Sequence, residues 1–205
     1  MGHKGRALAG LLVALLMGLG ACGGGNPATP TSQATAIQPS PTASSAVPTK
    51  PTGIEPPEKP AAMSTPDEDG AVAAAEYFLR MTTYAAATGD TTELEAMSGP
   101  DCQFCESYLE SVAQEQAAGD AWSTIPNIDI EFATTIPTEH ADSFQVNMRT
   151  SKDAYDYYNE KDGLRRADPE AFVMAIIATY GSEESWMIEE VQDFPSDTEI
   201  PGETP

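Results

Sequence analysis

The chain has 205 residues and a formal net charge of −22, because 32 aspartates and glutamates stand against only 10 lysines and arginines. Nucleic acid is therefore excluded as a partner, since phosphate binding needs a basic patch. After residue 21 no run approaches the roughly eighteen apolar residues of a membrane-spanning helix, which excludes a later membrane pass.

The first residues have the pattern of an export signal. A basic head precedes an apolar run over 7–21, which is shorter than the roughly 20 residues that cross a bilayer. The run ends in Leu-Gly-Ala before Cys22, the pattern that a bacterial lipoprotein signal peptidase cleaves. We expect 1–21 to be a lipoprotein signal peptide and Cys22 to carry the lipid, anchoring the chain to the cell membrane on its extracytoplasmic face. The alternative is an ordinary signal peptide that leaves Cys22 unmodified.

The remaining chain divides by composition into three parts. Residues 22–65 are dominated by Pro, Thr, Ser and Ala with few large apolar side chains, which predicts a disordered tether. Residues 66–194 are numerous enough to form one hydrophobic core and are predicted to be a single domain. The last residues, 195–205, are predicted to be a disordered tail.

The first half of this domain has helical periodicity. An acidic, proline-containing segment opens the first helix, with Thr65 or Ser64 available as N-cap. Residues 98–101 resemble a capping box before the third helix, which Gly119 ends. The predicted helices cover residues 71–87, 91–97 and 100–118.

After Gly119 the hydrophobic period changes to two. Alternation places Ile128, Phe132 and Ile136 on one face of a strand, and a second alternating strand over 144–149 completes a hairpin. A long polar connection then leads to two further strands.

These last strands are predicted over 171–180 and 186–192. The first is almost continuously apolar, which indicates a central strand covered on both faces, although a buried helix is the alternative. Helices followed by antiparallel strands predict an α+β domain in which the helices pack on a curved antiparallel β-sheet.

Cys102 and Cys105 are the one group of residues whose type and spacing suggest a specific chemistry. In an exported protein this spacing favours a disulfide, and the first turn of a helix allows the ring to close. A redox pair is the second reading, since a helix N-terminus lowers a thiol pKa, but it needs a thioredoxin-like setting and an exposed Cys102. A metal site needs about two more ligands, and the mature chain offers only His140, in a predicted solvated turn.

Several aromatic residues are candidates for a ligand site. Tyr155, Tyr157 and Tyr158 alternate with aspartates in the polar connection, where they either line a site or pack over the sheet edge. Trp122 and Trp186 open strands and are more typical of core or rim positions than of sugar platforms. No nucleophile elbow, zinc-binding helix, phosphate loop or calcium loop is present in the sequence. We therefore predict no catalytic, metal or cofactor-binding residues and no cofactor.

Two motifs together carry a resemblance to a known family. The run Ala-Ala-Ala-Thr-Gly-Asp-Thr over 85–91, followed by Leu94 and the Cys102/Cys105 pair, resembles an uncharacterised family of actinobacterial secreted lipoproteins, a domain of unknown function. The resemblance covers about 56–192 and implies an envelope-attached protein without an assigned activity.

More loosely, the domain resembles the nuclear-transport-factor-2-like (NTF2-like) superfamily. Its helices, a Gly-Asp turn after the first of them and a curved antiparallel sheet are similar to the cone of that superfamily, whose members hold ligands, enzyme sites or partner surfaces in the cone mouth.

Three functional hypotheses follow. The first is a non-enzymatic binding or interaction module, anchored to the membrane at Cys22, that takes an envelope protein or a small apolar ligand. The second is an enzyme that uses carboxylates and tyrosines in a pocket, with at least one strongly shifted Asp or Glu. The third is a thiol-disulfide redox protein that uses Cys102 and Cys105.

Overall fold

The computed structural model describes residues 49–204, in which three α-helices precede seven antiparallel strands. Together with the helices they make an α+β fold, as the sequence predicts. The helices are α1 (Glu68–Thr88), α2 (Thr92–Met97) and α3 (Gln103–Ala117). The strands are β1 (Trp122–Ser123), β2 (Ile128–Pro137), β3 (Ser143–Lys152), β4 (Tyr155–Asn159), β5 (Gly163–Ala167), β6 (Glu170–Tyr180) and β7 (Trp186–Pro195).

The strands form two antiparallel sheets. The larger has the order β2-β3-β6-β7, and the smaller has the order β1-β4-β5. The polar connection after β3 is therefore not a loop, because it contains the β4–β5 hairpin, in which Tyr155 pairs with Ala167. The sequence prediction missed this hairpin because its strands are short and tyrosine and charged residues alternate in them without a clear apolar face.

Helix α1 packs across the larger sheet and contacts β2, β3, β6 and β7. It begins because the Asp67 carboxylate accepts a hydrogen bond from the backbone N–H of Gly70 at 2.8 Å, so Asp67 is the N-cap and not Thr65 or Ser64. It ends at Gly89, whose φ of 80° suits a residue without a side chain. The helix buries a row of small and aromatic side chains that includes Phe78.

Helix α3 begins three residues later than predicted. Cys102 is its N-cap, and the predicted capping box at 98–101 is wrong. Ser98 instead ends α2 and forms a bridge to Ile188, while the N–H of Gly99 donates to the Ile188 carbonyl at 2.8 Å. Ser98 and Gly99 therefore pair with the edge strand β7 before α3 begins.

A β-bulge in β2 changes which side chains face the helices. The register with β3 shifts between Ile130 and Phe132, so the alternation predicted over the whole strand is broken there. Ile128 is buried toward the helices, whereas Ile136 lies on the opposite face and is 42% exposed. A one-residue shift moves every later side chain to the other face.

Both ends of the domain extend beyond the predicted limits. In the described part of the expected tether, residues 61–64 form a 3₁₀ turn that contacts α1 and buries Met63. In the expected disordered tail, Ile200 is buried and Arg149 pairs with Glu203. The sequence did not indicate these contacts, because both ends contain few apolar residues and each is anchored by only one or two side chains.

Between residues 49 and 204 no helix is long and apolar enough to cross a membrane.

Candidate functional site

A cleft of about 360 Å³ lies where α1 and α3 meet one end of the larger sheet. Its walls include Leu79 of α1 and Phe104 of α3, and its floor includes Phe172 and Met174 of β6. The interior is thus mainly apolar, and the volume falls in the lower part of the roughly 300–1,000 Å³ that ligand pockets occupy. The remaining lining side chains are Thr82, Thr83, Ala86, Tyr108, Ser123, Pro126, Ile128, Lys152, Tyr155, Glu170 and Asp193.

A second cavity of about 360 Å³ adjoins this cleft under the smaller sheet. The two share Tyr108 and Tyr155, together with Ala86 and Ser123, so one surface continues from the first into the second. The rest of the second cavity is rich in aromatic side chains. These are Trp122, Tyr157 and Tyr158.

Ring packing fixes these aromatic side chains. Trp122 stacks on Tyr158, its partner across the β1–β4 pair, with ring centroids 5.8 Å apart. Phe104 stacks on Tyr108 one helical turn along α3, with centroids 5.9 Å apart. The walls of both cavities are therefore built from side chains that packing already orients.

Tyr108 connects the two helices that line the cleft. Its hydroxyl donates to the backbone carbonyl of Thr82 at 2.7 Å. Burial raises the pKa of Tyr108 to about 12, and the charges of Tyr155 and Glu115 add to that effect. The phenol is therefore protonated at neutral pH and acts as a hydrogen-bond donor to the helix.

Lys152 carries the positive charge of the cleft lining. Its Nζ lies 5.2 Å from the ring centroid of Tyr155 and 5.9 Å from that of Phe172, within cation–π range. The same nitrogen lies 3.4 Å from the Glu170 carboxylate. The ammonium is thus paired with Glu170 and lies over the Tyr155 and Phe172 rings, and all of these residues line the cleft.

The structure joins Cys102 and Cys105 at disulfide distance, with their Cα atoms 5.2 Å apart. Both residues are buried, at 2% and 1% exposure, so the exposed Cys102 that the redox hypothesis requires is not found. The pair holds the first turn of α3 against β7, where Cys105 Sγ lies 4.0 Å from the Ile188 carbonyl oxygen. This placement puts Phe104 in the cleft wall.

The other predicted residues divide between the cavities and elsewhere. Tyr155 lines both cavities, and Tyr157 and Tyr158 line the second. Trp186 is a core residue, and His140 is exposed in the turn between β2 and β3. Cys22 lies outside the described residues. Within 49–204 no group of three or more His, Cys, Asp or Glu side chains is arranged to hold a metal ion.

Sequence reasoning missed the residues that join these tyrosines into a site. Tyr108 follows Phe104 by one helical turn, a spacing that places both on one face of α3 and was available as a signal. Lys152 and Phe172 carry no local signal, because only the β3–β6 pairing brings their strands together.

Comparison with known proteins assigns the family. Residues 48–192 match DUF6318, described as a family of unknown function. The chain belongs to the DUF6318 family. This agrees with the expected membership of an uncharacterised family, and the match to DUF6318 includes every residue that lines the two cavities except Asp193. No curated protein matches the chain.

Solved structures that are similar to this DUF6318 protein have sequences distant from it. The intermembrane space region of the chloroplast protein ARC6 is 11% identical, with a TM-score of 0.50 over 63% of this chain and 98% of that one. Two structures from Catenulispora acidiphila, one in complex with S-DNPA, are each 10% identical with TM-scores of 0.40. They cover 60% of this chain and 89% and 90% of their own. These two similarities are too weak to carry an argument.

Proposed function

We propose that this protein is a lipoprotein, anchored at Cys22 on the extracytoplasmic face of the cell membrane, whose α+β domain is a non-enzymatic binding module. Its ligand is a small apolar molecule held in the cleft between α1, α3 and the larger sheet. The observation that carries this proposal is the apolar and aromatic lining of that cleft, which continues into a second aromatic cavity. An envelope protein is the alternative occupant of the same surface.

The arrangement of helices and sheet supports a ligand-holding role. Helices α1 and α3 cover one end of an antiparallel sheet and leave an opening there, the arrangement expected of an NTF2-like cone with a mouth. In that superfamily the mouth is where ligands are held. The lining of this mouth offers mainly apolar contact area, so burial of an apolar ligand would supply the main free energy of binding.

The polar groups of the cleft favour binding over catalysis. The Tyr108 hydroxyl already donates to Thr82, and Lys152 is paired with Glu170. Hydrogen bonds from Thr92 and Arg149 lower the pKa values of Asp90 and Glu203, and neither of these carboxyl groups lines the cleft. A general acid or base needs the opposite shift, toward neutral pH.

Burial also weighs against a thiol-disulfide activity. Exchange requires a thiolate to approach a disulfide sulfur in line, and the surfaces of Cys102 and Cys105 are almost fully covered. The pair is better suited to fixing the start of α3.

Fluorescence of N-phenyl-1-naphthylamine, a neutral apolar probe, tests the binding role. We expect the full chain carrying Cys22→Ala to enhance its emission saturably. Ala86→Phe adds a ring to a residue that lines both cavities and is expected to abolish the enhancement. Ala113→Phe, on the exposed side of α3, is the matched control and should bind as the parent does. Equal binding by the Ala86→Phe variant, or none by the parent, would contradict the proposal.

Metabolic labelling with an alkyne fatty acid tests the anchor separately. We expect the wild-type chain to be labelled and to fractionate with membranes, and Cys22→Ala to lose both properties. The double variant Cys102→Ser, Cys105→Ser is the control, because it removes the other cysteines and should keep the label. Labelling that persists in Cys22→Ala would contradict the proposal that Cys22 carries the lipid, and it would leave the result of the binding test unaffected.

A further inference from the structure

The second cavity, under the smaller sheet, is lined by aromatic rings from a helix and from two strands. Strands β1 and β4 supply Trp122, Tyr155, Tyr157 and Tyr158, and α3 supplies Tyr108. The rings do not share one orientation: Trp122 and Tyr158 form the stacked pair described above, whereas the Tyr155 and Tyr157 rings are tilted by 46° with centroids 6.1 Å apart. Several rings that line one space are the arrangement of the aromatic cages that hold quaternary ammonium groups.

The charged groups of the second cavity favour a cation. Within residues 49–204, Glu115 is the one charged residue that lines it. None of the ion pairs in this part of the chain includes Glu115. Arg165 lies across from Tyr157 in the β4–β5 pair, but its guanidinium is 3.8 Å from the Asp162 carboxylate and it does not line the cavity. A ligand in the cavity therefore meets aromatic rings and one negative charge.

The neighbouring cleft already holds an ammonium group over an aromatic ring of this surface. Lys152 Nζ lies 5.2 Å from the ring centroid of Tyr155, which lines both cavities. Its charge is compensated by the Glu170 carboxylate at 3.4 Å, and Asp193 adds a further carboxylate to the cleft. In the described part of the chain, three carboxylates and one ammonium thus line the two cavities together. This excess of negative charge attracts cations, as does the net charge of −22 of the whole chain.

The lining selects a quaternary ammonium among cations. A metal ion needs several oxygen, nitrogen or sulfur ligands, and within 49–204 no group of three or more His, Cys, Asp or Glu side chains is arranged to hold one. A primary ammonium carries three N–H donors, each of which needs an acceptor. A quaternary ammonium carries none, so aromatic faces and one compensating carboxylate meet its requirements.

We propose that the ligand of this protein is an organic cation, whose quaternary ammonium group lies in the second cavity and whose apolar substituent extends into the cleft. The aromatic rings bind the ammonium group by cation–π interaction, and Glu115 compensates its charge. The two cavities share Tyr108 and Tyr155, so one molecule can occupy both. This inference names the class of the ligand and rests on the binding role proposed for the cleft.

NMR of the ¹⁵N-labelled full chain carrying Cys22→Ala, with choline as the probe, tests this class of ligand. The chain contains two tryptophans, Trp122 in the second cavity and Trp186 in the core, so its spectrum has two indole N–H signals, which Trp122→Phe assigns. We expect choline to shift the Trp122 signal saturably and to leave the Trp186 signal in place.

Two further probes separate the contribution of the charge from that of the apolar substituent. The neutral isostere of choline is 3,3-dimethylbutan-1-ol, which should bind at least about tenfold more weakly because it lacks the charge. Hexyltrimethylammonium adds an apolar chain that reaches the cleft, and it should bind at least about tenfold more tightly than choline.

Paired variants connect the signal to the rings and to the carboxylate. Tyr157→Leu removes a ring at a position that is 37% exposed, and it should weaken choline binding about fivefold. Tyr157→Phe keeps the ring and should bind as the parent does. Glu115→Gln should weaken choline binding about threefold at low salt. Glu110→Gln makes the same change of charge on the exposed surface of α3, outside the cavity, and should leave the affinity unchanged.

The outcomes distinguish this inference from the proposed function. Absent shifts of the Trp122 signal, equal binding of choline and 3,3-dimethylbutan-1-ol, or unchanged affinity in Tyr157→Leu would overturn the inference. Enhanced emission of N-phenyl-1-naphthylamine would in those cases still support binding in the cleft. An absence of that enhancement, together with no gain in affinity from the hexyl chain, would instead contradict the binding role of the cleft and with it the placement of the apolar substituent.

Discussion

The indole Nε1 of Trp186 donates a hydrogen bond to the backbone carbonyl of Met63 at 3.1 Å, and both residues are buried. This bond joins the 3₁₀ turn before α1 to the first residue of β7, across more than half of the domain sequence. The turn is thereby part of the folded core. A soluble fragment that begins after Met63 would leave the Trp186 indole without its partner.

Replacing Trp186 with Phe should reduce the free energy of unfolding by about 2 kcal/mol, because the hydrogen bond and part of the buried ring are lost. We expect the loss to be accompanied by faster amide hydrogen exchange in 61–65. Urea denaturation and exchange mass spectrometry measure the two effects. Trp122→Phe is the matched control, since Trp122 packs on Tyr158 and not on this turn. Unchanged amide exchange in 61–65 of the Trp186→Phe variant would show that the hydrogen bond from Trp186 does not stabilise this turn.

Tyr108 should make the protein sensitive to alkaline pH. Its pKa is about 12 in the folded protein against 10.0 as the ordinary value, so between these values the folded state binds more protons than the unfolded state. The associated stability is fully present below pH 10 and is lost as the pH rises toward 12. By about pH 11.5 the loss should reach about 2 kcal/mol.

Urea denaturation of the wild type and Tyr108→Phe, at pH 9 and at about pH 11.5, measures this loss. The variant lacks the titrating hydroxyl, so its stability should fall by about 2 kcal/mol less than that of the wild type over this interval. Tyr157→Phe removes an exposed phenol and should behave as the wild type does. Parallel losses in the wild type and Tyr108→Phe would show that Tyr108 is not the group responsible.

The Arg149–Glu203 pair should make the docking of 196–204 sensitive to acid. The hydrogen bond from Arg149 lowers the pKa of Glu203, so this contribution is present above the usual glutamate pKa and is lost as the pH falls through the lowered value. Glu203→Gln should speed amide exchange in 196–204 at neutral pH. As the pH is lowered stepwise below the usual glutamate range, exchange in the wild type should approach that of the variant. Glu183→Gln, in the turn before β7, should leave both the exchange rate and its pH dependence as in the wild type.

Removal of the Cys102–Cys105 bridge should cost about 2 kcal/mol at most, because its loop is short. The double variant Cys102→Ser, Cys105→Ser should therefore fold, with a lower denaturation midpoint and faster exchange at the start of α3. Burial of both residues predicts a reduction potential below about −300 mV in glutathione buffers. A potential near −200 mV would instead support the thiol-redox hypothesis.

Helix positions and paired strands were predictable because their signals are local. The apolar spacing of α1 and the alternation in β3 are each complete within a few turns or residues, and the structure confirms both elements. The bulge in β2 was not predictable, since the alternating pattern continues through Ile130 and Phe132 and only the partner strand reveals the shift.

The candidate site was predictable only in part. The clustering of Tyr155, Tyr157 and Tyr158 in the sequence is compatible either with a ligand site or with packing over the sheet edge, and in the structure they line the cavities. Lys152 and Phe172 belong to the cleft because β3 and β6 pair in register, a long-range contact without a local signature.

The bulge in β2 also bears on aggregation. Strand β2 is an edge of the larger sheet, and an unbroken, flat edge is a template for pairing with another copy of the same chain. The shift after Ile130 interrupts the row of backbone donors and acceptors, while Asp129 and Glu131 add negative charge beside it. Two copies of the domain that meet along β2 are therefore disfavoured from extending into a shared sheet.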